Sequence, residues 1–574
     1  MSIDRDDGEP SRPLDPRLAV GVFALVAIVR LAYAANRTVF STFPDEPAQL
    51  AIARWLSGGT PWSLFDHSTW QPGFSILLIP AYWISGDPET VYRIALFVNS
   101  VLGGVAALLL ARLIRRLTPV DARQAALIAV VIAVLPAALA ASARAWAEPL
   151  ITVIVLVTLQ LALRAIDDES ALQAVVVVLV AGFGYLVHGR LLPLLPFSVC
   201  ILSVVLVKQR RSTMIVGAVA MSAALFLIVE MFSAWVQRNV WTQPDRTNTI
   251  GSTLERLSRP GALFDSVVGQ VWYVLIATAL FGGLGFWVLV RSALGSLTDT
   301  AICRRTDAFV VVGLVVPLVG VSMLFMAGRD RPDMLIYGRY NEAILWPVVA
   351  IGAVWLLRML EIGEWNQLMT RFAVTATICV GLTAIVAARS GDALQEPGVI
   401  RLMISGVAVL ADPQSEVFPW LACCIALGLT LAVVLALAQA RRSPLVGVLL
   451  IGAIVLGLGV RSWSVLGRNL NMFAENSTVR AVADIVPPGE PIGVHFVPRD
   501  EPSLVLLGTQ RRLAQLYQMY LPGHRFDIDE GLDDDVGPYV FAPKGHEPLV
   551  VAGAEVLWLD QRTGMALWRE PERS

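Results

Sequence analysis

Two adjacent carboxylates, Asp45 and Glu46, head the segment Asp45 to Leu56, whose apolar spacing is that of a short amphipathic helix. Acidic groups at a helix start accept free backbone N–H groups and gain from the helix dipole, so one reading of the pair is a cap. The other reading is chemical. The pair follows an apolar run by about ten residues, which sets it near a membrane surface, where a carboxylate can serve a lipid-linked substrate as general base or metal ligand. Two carboxylates this close repel, which predicts a raised proton affinity for one of them. Farther along, Gly269-Gln270-Val271-Trp272-Tyr273 offers an indole and a phenol that can stack on a sugar or prenyl chain, or serve as interfacial anchors. The acidic run Asp527 to Asp535 lacks the spacing and closing Glu of a calcium loop and reads as a solvated loop.

The elements that position these residues are made for lipid. Of the 574 residues 56% are hydrophobic and 16% charged, and the mean hydropathy is +0.65, more apolar surface than a soluble fold can hide. About thirteen windows of roughly 20 apolar residues recur, centred at 18–35, 92–111, 124–142, 148–164, 172–188, 191–207, 213–232, 269–290, 308–327, 341–358, 372–388, 418–439 and 444–462. Gly73 to Ser85 is too short to join them. The net charge of -2 and the absence of a basic stripe exclude nucleic acid as a partner. The five cysteines, Cys200, Cys303, Cys379, Cys423 and Cys424, indicate no disulfide framework or metal site. The first apolar run ends in Ala32-Tyr33-Ala34, yet its head is acidic and its length excessive for a signal peptide, so it reads as a retained span.

Basic residues are held on the cytoplasmic side of short loops, and Arg112, Arg115, Arg116, Arg123, Lys208, Arg210, Arg211, Arg291, Arg304, Arg305, Arg441 and Arg442 all fall on one side. The expected arrangement is a cytoplasmic segment 1–17, a membrane module 18–463 with a first outer loop 36–91, and an extracytoplasmic tail 464–574. The tail reads as a small α/β domain. Its expected strands are Ile492 to Val497, Leu504 to Leu507 and Tyr539 to Ala542, its helix Arg511 to Tyr520, and its closing hairpin Val556 to Leu559 with Met565 to Trp568.

In their order and membrane side, Asp45-Glu46, Ser57-Gly58-Gly59, Trp70-Gln71-Pro72-Gly73 and Val91-Tyr92-Arg93-Ile94-Ala95-Leu96 resemble the GT-C superfamily. The closest pattern is that of its phospholipid-carrier-dependent glycosyltransferases, which include protein O-mannosyltransferases and lipid A aminoarabinose transferases. The resemblance runs from residue 18 to about 345 and omits the tail. Members often carry His-Pro-Pro where this chain has Gln71-Pro72-Gly73, with His67 close by. It implies an all-α polytopic membrane fold, about thirteen transmembrane helices here, to which the pattern of the tail adds the small C-terminal extracytoplasmic α/β domain.

It further implies Asp45 as catalytic base, Glu46 as the neighbour that positions substrate or metal, and Glu148 before Pro149 as a metal or substrate residue together with Asp45. The alternative for Glu148 is a cap-like carboxylate at a helix start. Arg190, in His188-Gly189-Arg190, and Arg339, in Tyr337-Gly338-Arg339-Tyr340-Asn341-Glu342, look like the family's lipid-phosphate arginines, since a guanidinium fork donates two bonds to phosphate. Their alternative is snorkelling to headgroups. His67, His188, Trp272, Tyr273, Tyr340 and Glu342 complete the substrate-binding candidates. Arg30, inside the first span, reads as snorkelling or paired.

The implied activity is inverting transfer of a sugar from a polyprenyl-phosphate donor to an envelope glycan, lipid or protein acceptor, outside the cytoplasmic membrane of a bacterium. A divalent ion, manganese or magnesium, is the one optional cofactor. The rival is a transporter or flippase for a lipid-linked glycan. Such proteins place ionisable residues at mid-membrane, whereas the charges here cluster at outer helix ends.

Overall fold

A computed structural model describes residues 14–38, 40, 45–61, 70–241, 255–295, 302–328, 332–390, 394, 401–467, 476–487, 489–495, 517–521, 523–529, 538–559, 561 and 564–571. In chain order the helices are α1 (Pro16–Ala34), α2 (Asp45–Leu56), α3 (Gly73–Ile84), α4 (Pro88–Leu117), α5 (Ala122–Ala133), α6 (Pro136–Ser142), α7 (Glu148–Asp167), α8 (Ala171–Val187), α9 (Leu194–Lys208) and α10 (Ile215–Val240). They continue as α11 (Pro260–Ala277), α12 (Phe281–Ala293), α13 (Arg305–Met326), α14 (Arg339–Glu342), α15 (Trp346–Ile362), α16 (Trp365–Ser390), α17 (Ser405–Ala408), α18 (Phe418–Arg442) and α19 (Pro444–Ser462).

The protein is a multi-pass membrane protein. Among the described residues ten helices are long and apolar enough to cross a bilayer, eleven if the pair α5 and α6 counts as one span. That pair is bent by 64°, because Pro136 cannot continue the helix begun at Ala122. The window 269–290 is corrected here. It holds parts of two helices, α11 and α12, parted by a turn in which Ala279 and Leu280 take φ of 45° and 65°. The apolar windows at 172–188 and 341–358 form helices of 17 residues, and α3 is a 12-residue helix with Pro80 inside it.

Packing follows the logic of helices in lipid, where small residues bring backbones close. A Cβ added to Gly285 of α12 would collide with the Val348 carbonyl of α15, and one added to Gly352 would collide with the Phe281 carbonyl. The same rule joins α1 to α4, where Gly103 leaves room for the Arg30 side chain. Arg30 does not snorkel. It is buried and donates Nε and Nη2 to the Ala133 carbonyl at 3.0 and 2.9 Å, satisfying the open end of α5 where the helix breaks.

The arginines used to orient the chain gather at one end. Arg116 and Arg304 share Asp167 at 2.5 and 3.1 Å, Arg304 also holds Asp307 at 2.9 Å, and Lys208 lies 3.4 Å from Glu169. At the opposite end stand the starts of α2, α4 and α7, the link from α8 to α9, and α14 with α17.

The tail forms a five-stranded mixed sheet in the order β2-β1-β3-β5-β4, with β1 Ile492–His495, β2 Phe526–Asp529, β3 Tyr539–Pro543, β4 Glu555–Leu559 and β5 Met565–Arg569. β1 runs parallel to both neighbours, while β5 is antiparallel to β3 and β4. The expected hairpin is present, with Gly564 at φ 72° in its loop. The expected strand at 504–507 and the expected helix before Tyr517 lie outside the described residues. The tail meets the membrane module at the start of α4, where Arg480 lies 2.8 Å from Asp87 and 3.7 Å from Glu89, and the Tyr520 hydroxyl donates to Glu89 at 3.2 Å.

Candidate active site

The site begins with α2. Asp45 and Glu46 are its first two helical residues rather than a cap, and successive positions on a helix point apart. Asp45 turns toward α14 and Trp70, whereas Glu46 turns into the bundle. The Tyr92 hydroxyl of α4 donates to Glu46 Oε2 at 2.7 Å, and the Ala145 N–H donates to the same oxygen at 2.9 Å. Asn99, two turns along α4, donates to the Arg144 and Trp146 carbonyls at 2.6 and 3.0 Å. Glu46 and Asn99 thus clamp the turn 143–147, and that turn starts α7 with Glu148 in its first position. Glu46 is fully buried and braces this turn, which corrects its expected contact with substrate or metal.

Asp45 accepts a hydrogen bond from Trp70 Nε1 at 2.9 Å and forms an ion pair with Arg339 Nη1. Arg339 donates Nε to Glu148 Oε1 at 2.7 Å, and Arg190 Nη2 lies 3.4 Å from that same oxygen. Four chain segments therefore meet in one alternation of charge: Asp45, Arg339, Glu148, Arg190. Its members other than Asp45 are buried, while the Asp45 side chain keeps 28% of its surface exposed. Aromatic faces cover the cations, with Arg339 3.6 Å above the Trp146 ring and Arg190 4.2 Å above the Tyr340 ring. His188 edges the Tyr340 ring at 5.6 Å, and its Nδ1 accepts the Arg190 N–H at 3.2 Å, fixing the turn that carries Arg190.

Burial raises the proton affinity of Asp45, but Arg339, the Trp70 indole and Arg190 outweigh it and hold the carboxyl below its usual range. The raised affinity expected from repulsion with Glu46 is not found, because the two side chains diverge and a guanidinium lies beside Asp45.

A cavity with about 930 Å³ of atom-free space opens beside this cluster, lined by Glu148, Arg339, Glu342, Trp146, Tyr273 and Trp346 among others. Two expected partners separate here. Tyr273 lines the cavity and donates to Glu342, whereas Trp272 is turned away, donating Nε1 to Thr383 at 2.9 Å and packing against Phe418 at 6.2 Å. Trp272 is therefore a packing residue between α11, α16 and α18, which corrects its place among the substrate groups. His67 lies outside the described residues.

Sequence reasoning missed the roles of Trp70 and Trp146 against the charges, and all of Leu402, Ser405 and Gly406, which line the cavity from the segment between α16 and α18. No local pattern marks that segment, because it reaches the site through tertiary packing on α6, α11 and α14.

The carboxylates assigned to a divalent ion do not suit one. Asp45 and Glu148 both pair with Arg339, whose guanidinium bridges them. Among the described residues no three His, Cys, Asp or Glu side chains gather as ligands.

No family model and no curated protein matches the chain. Among solved structures, ArnT from Cupriavidus metallidurans in the apo state superposes with a TM-score of 0.51 at 15% identity, covering 96% of this chain and 97% of that one. Arabinosyltransferase EmbB from Mycobacterium smegmatis gives 0.45 at 16% identity, over 81% of this chain and 42% of that one. Superposed over nearly the full length of both chains, this protein has the GT-C fold of ArnT.

Proposed function

We propose that this protein is a membrane glycosyltransferase that moves a sugar from a polyprenyl-phosphate donor to a cell-envelope acceptor outside the cytoplasmic membrane. The observation that carries the reading is the contact between Asp45 and Arg339, which puts a carboxylate able to take a proton beside a cation able to hold a phosphate, and that cation lines a cavity within a GT-C fold. Arg190 adds to this. Among the described residues its Nε and Nη1 are buried without a hydrogen-bond partner, an arrangement that favours an anion which completes the set.

In the proposed step the acceptor hydroxyl attacks the anomeric carbon and Asp45 removes its proton. The bond from that carbon to the phosphate oxygen breaks, and polyprenyl phosphate leaves with its charge held by Arg339 and Arg190, so configuration inverts. Glu148 keeps both arginines aimed while the phosphate is away. No step passes through a metal, because the carboxylates here are committed to arginine. The topology in this reading sets the N-terminus inside and the tail outside, next to the site.

Purified protein given a panel of radiolabelled polyprenyl-phosphate sugars and envelope glycan acceptors tests the proposal. Transfer from at least one donor, abolished by Asp45→Asn, is the expected result. Vectorial movement of an intact lipid-linked glycan across proteoliposomes, without transfer, would put a flippase in its place.

A further inference from the structure

One carboxylate in the cavity has no arginine. Asp45 and Glu148 share Arg339 and Arg190, but Glu342, among the described residues, is met by neutral donors alone. The Tyr273 hydroxyl and the Gly406 N–H, the latter at 3.3 Å, both donate to Oε1. Ser405 Oγ lies 3.4 Å from Oε1 and 3.3 Å from Oε2, and its single proton can serve only one of them. Oε1 is thus saturated, while Oε2 keeps open acceptor capacity on a side chain that is only half-buried and faces the cavity.

The arrangement is built. A Cβ on Gly338 would collide with the Tyr273 ring, and one on Gly406 would lie 2.8 Å from the Tyr273 hydroxyl and 2.7 Å from the Ala277 methyl, so two glycines make room for the phenol that anchors Glu342. The Tyr273 hydroxyl also accepts the Gly406 N–H at 2.9 Å, tying α17 to α11 behind the carboxylate. Glu342 and Arg339 stand three apart on the single turn α14 and both line the cavity. Groups at this spacing lie on one face with Cβ atoms about 5 to 6 Å apart, near the distance from a glycosyl phosphate to a hydroxyl across the sugar ring.

Resting on the glycosyl-transfer reading above, we infer that Glu342 Oε2 accepts a hydrogen bond from a ring hydroxyl of the transferred sugar while Arg339 attends the phosphate, so that Glu342 selects the sugar. A hydroxyl suits the site better than an ammonium group, because burial outweighs the neutral donors and pushes the Glu342 carboxyl up to about 7, which disfavours the full charge an ammonium group would pair with.

The test compares wild type, Glu342→Gln and Glu342→Ala with the polyprenyl-phosphate sugar that wild type uses best, with its monodeoxy analogues, and with polyprenyl phosphate alone as a binding probe. In wild type, one deoxy analogue loses about 10- to 150-fold in kcat/KM, the worth of a hydrogen bond to a charged group. Glu342→Ala treats that analogue and the parent sugar alike. Glu342→Gln falls between, since its amide can donate to the same hydroxyl. All three proteins bind polyprenyl phosphate equally.

Glu342→Ala discriminating like wild type would overturn the inference, and so would an equal loss of polyprenyl phosphate binding, which would make Glu342 part of the pocket's frame. Preference for an amino sugar, lost equally in both variants, would replace the hydroxyl by an ammonium group. If wild type transfers no sugar at all, the reading beneath fails and this one with it, a result distinct from active enzyme with unchanged selectivity.

Discussion

Arg339 donates its Nε–H to Glu148 Oε1 at 2.7 Å across 191 positions of chain, and with its other side holds Asp45. This buried pair fixes α7 against α14. Removing the guanidinium takes the cation from Asp45 and leaves Glu148 only its longer contact with Arg190, and breaking a buried pair from one side costs about 3 to 5 kcal/mol. Arg339→Ala is therefore expected to lower stability by that amount and to abolish transfer, whereas Arg339→Lys keeps a charge but not the fork and recovers stability only in part. Thermal unfolding in detergent checks this. An alanine variant as stable as wild type would mean that the pair contributes nothing to the fold.

Arg190→Ala separates phosphate binding from the fold more cleanly, since Arg190 makes only the longer 3.4 Å contact with Glu148. Loss of one charge-assisted pair is worth about 1.5 to 3 kcal/mol, so the Kd for polyprenyl phosphate should rise roughly 10- to 150-fold. Equal affinity in the alanine variant would leave Arg190 a structural cation.

Asp45→Asn should cut turnover by ~10²- to 10⁴-fold with donor binding retained, because asparagine still accepts from Trp70 but takes no proton. The pH dependence follows from the depressed carboxyl. Asp45 is ionised above its folded pKa, so neither its basic form nor its share of stability is lost until pH falls below the unfolded value of about 3.9 and through the lower folded one. A kcat/KM profile that falls on the acid side near pH 6 to 7 would assign that limb to another group.

Chelation tests the reading of the carboxylates as arginine-bound. Dialysis against EDTA should leave turnover unchanged, and added manganese or magnesium should not raise it. Loss on chelation with recovery on either ion would show that the ion displaces Arg339 in the working enzyme.

For topology, the five native cysteines are replaced and single cysteines introduced. Ser57→Cys, in the turn after α2, and Glu547→Cys, in the tail, should react with an impermeant maleimide in whole cells, while Ser212→Cys and Ser443→Cys should not. The reverse pattern would invert the protein and move the proposed site to the cytoplasm.

The sequence by itself determined what each residue type must do locally. A mean hydropathy of +0.65 with apolar windows about 20 long leaves no solvent but lipid for the module, and alternation with a glycine-bearing loop marks the hairpin closed by Gly564. Asp45 came into view from its place beside Glu46 after the first span, and Glu148, Arg190 and Arg339 through the resemblance to a family that carries such residues at outer helix ends. Partnership was another matter. That Asp45 and Glu46, adjacent in the chain, part company, one to Arg339 and the other to Tyr92 and Ala145, depends on the 100° step of a helix whose roll is set by α3 and α4. Trp272 and Tyr273 part for the same reason. Where the apolar window at 269–290 breaks into two helices, and which glycines let α14 and α17 close around Glu342, were likewise decided by packing between segments far apart in sequence, a contest of shapes that no local pattern records.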